Sequence, residues 1–323
     1  MIISRTPFRI SFFGGGTDFR DFYKADYGAV LGTTIDKYMY VSVNKKFEGN
    51  VRVSYSKTEV VDESSQIKHE LVREALLAMQ LYKGIEVVTI ADVPGAGTGL
   101  GSSSSTLVGL LNALSYYLHL PVEKEILAKM ACDIEIGKLG SPIGKQDQYF
   151  AACGGLCYIR FNSDDSVRVE RIEVLDSTIN ELENNLLCFF TGFRQNASNI
   201  LREQKGNIPS KMEILTEMRN QAEAGRRVLA KGDLTEFGKM LHQGWLLKKK
   251  LANSISNDNI ESYYEKALKN GASGGKISGA GGGGFLTLYC EPEYQKRVRE
   301  ALSGLQEMAL KVDHYGSMII HMN

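Results

Sequence analysis

Apolar positions alternate in short runs through the first half of the chain. Arg9-Ile-Ser-Phe-Phe13, Met39-Tyr-Val-Ser-Val-Asn44 and Val51-Arg-Val-Ser-Tyr55 repeat every second residue, the period of a strand with one buried face. The β-branched run Ile85-Glu-Val-Val-Thr-Ile-Ala-Asp-Val93 and the segments 155–161 and 168–174 read the same way. Between them, a helical period predicts helices over residues 63–83, 106–118 and 122–137. Residues 179–185 are polar and loosely helical, and Leu186-Leu-Cys-Phe-Phe190 then starts a new buried strand. That change predicts one unit over residues 1–183 and a second over 184–323. The second carries helices over 210–231, 234–252 and 260–269, a glycine loop and strand within 276–288, a helix over 292–309 and a last strand at 316–321. The mixture predicts an α+β protein of two lobes.

One loop is punctuated at every second position: Pro94-Gly-Ala-Gly-Thr-Gly-Leu-Gly-Ser-Ser-Ser-Ser105. Gly95, Gly97, Gly99 and Gly101 lack the Cβ atoms that would stop the backbone curling around an anion, so successive N–H groups can point inward. Ser102, Ser103 and Ser104 add donors where a helix begins and its macrodipole favours negative charge. The loop therefore predicts a phosphate cradle. Several nucleotide-binding designs place a glycine loop between a strand and a helix. A dinucleotide fold also wants an acidic residue at the end of the next strand, about 20 residues on. Here that interval is helical throughout.

Two further glycine clusters flank the chain's ends. In Arg5-Thr-Pro-Phe-Arg-Ile-Ser-Phe-Phe-Gly-Gly-Gly-Thr-Asp18, a strand ends in glycines, and Gly16, Thr17 and Asp18 offer a donor and an acceptor suited to sugar hydroxyls. A tight turn capped by Asp18 is the plainer alternative. In Gly274-Gly-Lys-Ile-Ser-Gly-Ala-Gly-Gly-Gly-Gly-Phe285, four glycines in a row precede an apolar strand. Such a run loses much backbone entropy on folding, which predicts close approach of a ligand, with Gly279 and Gly281 as candidates. Between the second and third clusters lies Glu135-Ile-Gly-Lys-Leu-Gly-Ser-Pro-Ile-Gly-Lys-Gln-Asp-Gln148, where glycines and Pro142 end one helix and leave Asp147 in a loop or at the start of the next. A carboxylate in such a turn is most often a cap. Facing the cradle, Asp147 would accept a proton from an attacking hydroxyl, with Glu135 and a loop serine holding Mg²⁺.

Bulk properties narrow the partners. Lys+Arg and Asp+Glu number 38 each over 323 residues, so net charge argues for neither nucleic acid nor an anionic membrane surface. Cys132, Cys153, Cys157, Cys188 and Cys290 form an odd set without C-x-x-C pairs, the pattern of buried thiols in a reducing, cytoplasmic setting. The five histidines show no metal-ligand spacing, Trp245 falls on an apolar helix face, and Lys248-Lys-Lys250 reads as a solvated face, with nucleotide or substrate phosphate as the alternative it could face.

The three glycine clusters in this order, with Glu135 and Asp147 between the last two, resemble the GHMP kinase family of galactokinase, homoserine, mevalonate and phosphomevalonate kinases. The resemblance spans nearly the whole chain. Within the family it is strongest to the sugar kinases acting on D-glycero-D-manno-heptose 7-phosphate, through residues 5–18, Gly144-Lys-Gln-Asp-Gln-Tyr149, Trp245-Leu-Leu-Lys-Lys-Lys250 and residues 274–284. It implies an S5-like N-terminal lobe, a ferredoxin-like C-terminal lobe, and ATP and sugar in the cleft between them. It implies that residues 95–105 wrap the ATP phosphates, that Ser103 or Ser102 ligates Mg²⁺ beside Glu135, and that Asp147 is the catalytic aspartate. Arg9 stands where other members carry a Lys or Arg that assists the hydroxyl or base. The implied reaction moves the ATP γ-phosphate to the anomeric hydroxyl of the heptose 7-phosphate. An unphosphorylated fucose, arabinose or galactose acceptor, or a non-catalytic sensor, is the alternative. A phosphorylated acceptor needs a second cationic site, for which Arg194, Lys37, Lys145 and Arg202 are the candidates. A monomer or homodimer without nucleic-acid or membrane partners is expected.

Overall fold

The computed structural model describes residues 1–94, 97–193 and 197–322. The alternating runs of the first half build one sheet. Its centre is the long antiparallel pair β1 (Ile2–Phe13) and β2 (Tyr27–Lys45), continued by β5 (Ile85–Ala91), β3 (Val51–Ser54) and β4 (Thr58–Val61), with β3 parallel to β5. β6 (Leu156–Asn162) pairs with the first part of β2, and β7 (Val167–Arg171) pairs with β6.

Helices α1 (Arg20–Tyr23) and α2 (Glu70–Ala78) precede α3 (Ser102–Tyr117), which packs on β1 and β2 and buries nearly every residue from Ser104 to Ser115. Apolar residues on every face of its middle, Leu107 to Leu114 with Asn112 as the exception, follow from that burial. α4 (Lys124–Cys132) leads into a π-helical turn at Asp133–Lys138, and α5 (Gln146–Cys153) follows. The helix expected over 63–83 starts only at Glu70. The Glu59 carboxylate accepts the N–H groups of Lys68 and His69 at 2.7 and 3.1 Å, which fixes β4 and a single 3₁₀ turn ahead of it.

The second sheet is antiparallel, in the order β11-β8-β10-β9, from β8 (Leu186–Phe190), β9 (Ala272–Ile277), β10 (Phe285–Cys290) and the short β11 (Gln306–Glu307). Around it lie α6 (Asp176–Asn185), α7 (Ala197–Asn207), α8 (Met212–Ala230), α9 (Leu234–Lys249), α10 (Asp258–Lys269) and α11 (Pro292–Ala301). The sequence pattern missed α7, whose composition is strongly polar, and overextended α11 past Ala301. Position 183/184 lies inside α6, and β12 (Met318–Met322) returns to the edge of the first sheet beside β1. Two apolar clusters result: one around the first sheet and α3, the other around Trp245, Phe22 and the second sheet. Among the described residues no helix is long and apolar enough to cross a membrane.

Candidate active site

β1 runs through the first cluster and delivers Arg9 to a cavity of about 250 Å³ that the glycine loop, the start of α5, α7 and α9 also line. Arg9 Nε and Nη2 donate to Asp147 Oδ1 and Oδ2 at 2.7 and 2.6 Å, and Nη1 donates to the Gly99 carbonyl at 2.5 Å. This bidentate geometry fixes the carboxylate in both distance and plane. Asp147 sits in the first turn of α5, and a Cβ added at Gly101 would lie 3.2 Å from its Oδ2. The loop glycine thus gives the aspartate room beside the cradle.

Gly97, Gly99 and Gly101 all have positive φ, at 74°, 77° and 79°, separated by residues that do not, the alternation of backbone hand from which anion-binding nests are built. Gly101 is the N-cap of α3 and supplies no side-chain cap, and the helix start, with its positive macrodipole end, lies at the cavity wall. Ser102 and Ser103 line the cavity. Ser104 does not: it is buried, with its hydroxyl donating to Glu135 Oε2 at 2.8 Å. Ser103 donates to Glu135 Oε1 at 2.6 Å, and Gln148 Nε2 donates to Oε2 at 2.7 Å. Burial raises the Glu135 pKa against these three donors. Gly95 and Arg194 lie outside the described residues.

Asp18, 2 % exposed, closes another wall. It accepts the N–H groups of Gly16 and Gln146 at 3.0 and 3.2 Å, and burial, with the Asp147 charge adding, pushes its pKa up. Gly16 lines the cavity as expected, whereas Thr17 turns away: its hydroxyl donates to the Ala29 carbonyl and accepts the Ala29 N–H, locking the turn.

The third glycine cluster has a different purpose from the one its sequence suggests. A Cβ at Gly279 would meet the Gly99 backbone, at Gly281 the Ile255 carbonyl, at Gly283 the Phe193 carbonyl and at Gly284 that of Thr98, while Phe285 N–H donates to Thr98 O at 3.3 Å. Most of the cluster exists so that backbone can pack on backbone and brace the cradle from behind. Gly279 alone of its glycines lines the cavity, beside Ala280, and Gly281 packs on Ile255 instead.

Of the candidate cations, none that is described lines the cavity. Lys37 pairs with its neighbour Asp36 at 2.8 Å, Lys145 lies over the Tyr23 ring and 3.6 Å from Asp165, and Arg202 donates to Asn199 on the surface. Lys248, read first as part of a solvated face and second as facing nucleotide or substrate phosphate, is found 4 % exposed on the cavity wall. A usable signal existed, because Leu241, Trp245 and Lys248 share one face of α9 at i, i+4 and i+7.

Fold and site together define a class: a two-lobed α+β phosphotransferase, with a glycine loop and an arginine-held aspartate on one cavity. Residues 67–155 match the N-terminal domain of the GHMP kinases, and residues 226–306 match their C-terminal domain. The chain is similar to the D-glycero-alpha-D-manno-heptose 7-phosphate kinase of Campylobacter jejuni, 30% identical over 321 residues and covering 93% of each chain. It is also similar to the galactokinase of Pyrococcus furiosus, 25% identical over 342 residues, covering 93% of this chain and 92% of the other. The crystal structure of a D-glycero-D-manno-heptose 1-phosphate kinase from Bacteroides thetaiotaomicron matches with a TM-score of 0.84 and 27% identity over the whole of both chains. The chain belongs to the GHMP kinase family and has its two-lobed fold. It is a phosphotransferase of the sugar-kinase type, acting on a hydroxyl acceptor.

Proposed function

We propose that the chain transfers the γ-phosphoryl group of ATP to the anomeric hydroxyl of D-glycero-D-manno-heptose 7-phosphate, giving the 1,7-bisphosphate and ADP. The observation that carries this reading is the bidentate Arg9–Asp147 pair on the same cavity as Asp18 and the glycine loop. Similarity over 93% of both chains to the Campylobacter kinase of that name supports the choice of sugar.

Phosphoryl transfer asks for positioning and charge neutralisation more than covalent help. The amides of Gly97 to Gly101 and the uncapped start of α3 receive the nucleotide's phosphates. A groove of about 620 Å³ beyond Ser102 and Ser103, walled by Tyr55, His69, Ile90 and Pro94, takes the nucleoside. Asp18 accepts sugar hydroxyls. Each Asp147 oxygen already accepts one Arg9 N–H and keeps a further lone pair, so it can take the anomeric proton as the new O–P bond forms and the bond to ADP breaks. Arg9 balances the aspartate's charge before transfer and stays beside the phosphoryl oxygens during it.

The residues present fit Mg²⁺. Glu135 is a buried carboxylate with no cation partner among the described residues, beside the Ser103 hydroxyl, and together they offer the hard oxygen ligands this ion prefers. When bound, the ion would offset charge on the nucleotide's phosphates.

Replacing Asp147 with Asn tests the reading. Turnover should fall by roughly 10²- to 10⁴-fold while ATP still binds, measured by coupled ADP release and by nucleotide titration. Full activity in that variant would remove Asp147 from the chemistry.

A further inference from the structure

The cavity contains a buried cation for which the reaction so far has no use. Lys248 Nζ donates to the Gly15 carbonyl at 3.3 Å and to Gln204 Oε1 at 3.0 Å, both neutral acceptors. Among the described residues no carboxylate forms an ion pair with it, although Asp18 and Asp147 lie in the same cavity. Its third N–H is unspoken for. Gln204 is 2 % exposed, and its Nε2, with two N–H donors, is buried without a partner. The amide lies directly over Gly16, where the missing side chain leaves room, and both residues line the cavity.

We infer that Lys248 and Gln204 form the subsite that receives the acceptor's phosphate. The group that satisfies this pair must accept several hydrogen bonds, because the unused atoms of Lys248 and Gln204 are donors and one carries charge, whereas Gln146 Oε1, an unpartnered acceptor on the same cavity, suits a hydroxyl. A sugar hydroxyl would bring a proton of its own, and the cavity already supplies acceptors for hydroxyls at Asp18 and Asp147. A phosphate monoester fits both the donor count and the charge. A buried ammonium held only by neutral oxygens is costly until an anion arrives, which makes the pair selective and not merely adhesive. Burial also lowers the Lys248 pKa to about 8, so the amine remains largely charged at neutral pH.

This inference rests on the reading that the acceptor is a sugar phosphate, and the test separates the two. Steady-state kinetics would compare heptose 7-phosphate with the unphosphorylated heptose in the wild type, Lys248→Met, Lys248→Arg and Gln204→Glu. Binding of the 7-phosphate without ATP would be followed by calorimetry. The expected result is that Lys248→Met lowers the preference for the phosphorylated acceptor by roughly 10- to 100-fold, mostly through KM, the range of a hydrogen bond to a charged group. Lys248→Arg keeps most of the preference. Gln204→Glu gives Lys248 an internal carboxylate and loses the preference as well, which covers the case in which Lys248→Met does not fold. If the wild type prefers the 7-phosphate and the variants lose both acceptors equally, or keep the preference within about threefold, the inference is overturned and the reaction stands. If the wild type itself does not distinguish the two acceptors, the reading of the substrate fails and the inference goes with it.

Discussion

Gly99→Ala probes the interlock between the cradle and the third glycine cluster. Gly99 has φ +77°, and a methyl there would meet the Ser278 carbonyl carbon at 2.8 Å, its oxygen closer still, and the Gly279 nitrogen at 3.4 Å. These are backbone atoms, which cannot swing aside as a side-chain tip would. Left-handed backbone costs an alanine about 1–2 kcal/mol, and overpacking a filled space adds about 1–3 kcal/mol, a total of roughly 2–5 kcal/mol. Gly140 separates the two effects: its φ is +64° and nothing lies within 4 Å of the added methyl. Gly140→Ala should therefore cost only about 1 kcal/mol, the backbone strain less the entropy removed from the unfolded chain. Displacing Gly99 also pulls its carbonyl from Arg9 Nη1, so Gly99→Ala should lower kcat as well as stability. Urea denaturation of the two variants beside the wild type, with ADP release on the same samples, reads both effects. Equal destabilisation by the two alanines would refute the interlock.

Other consequences are more local. Glu135→Gln removes the carboxylate proposed to hold Mg²⁺ and should raise the Mg²⁺ concentration for half-maximal rate by roughly tenfold or more; an unchanged requirement assigns Glu135 to holding Ser103 and Ser104 alone. Lys276 is buried, donating to Ser11 O at 2.8 Å and Phe12 O at 3.3 Å; burial, reinforced by Lys248 and Arg9, lowers its pKa to about 7. The folded protein therefore releases this proton before the unfolded chain does. Stability should rise with pH between about 7 and the ordinary lysine range near about 10.4, with Lys248 contributing in the same sense. Lys276→Met should flatten that rise in denaturation midpoints taken at several pH values, and an unaltered slope would contradict the assignment.

The parts of the site that were legible in the sequence are those held by local chemistry. Alternate glycines running into serines specify an anion loop before any tertiary contact is known, and Gly144, Lys145 and Gln146 set Asp147 at a helix start. The Arg9–Asp147 pair joins residues 138 apart in sequence and was reachable only through the family likeness, not from spacing. What stayed hidden depends on what each segment packs against. The glycines of the third cluster read as ligand-facing, yet at Gly281, Gly283 and Gly284 the neighbour that excludes a Cβ is the protein's own backbone. Lys248 read as solvated because charge outweighed its helical phase, and α7 went unseen because its polar sequence buries only a few residues, Gln204 among them. The serines were separable only by geometry: Ser102 and Ser103 face the cavity, while Ser104 supports Glu135 from within the core.

The central claim concerns which hydroxyl of which sugar receives the phosphate. The most direct measurement is a product-resolved assay by ³¹P NMR with ATP and heptose 7-phosphate, fucose and galactose in parallel. The account predicts a new anomeric phosphate on the heptose 7-phosphate, with kcat/KM roughly 100-fold or more above either unphosphorylated sugar. A phosphate placed on another hydroxyl, or equal or faster turnover of fucose or galactose, would contradict it.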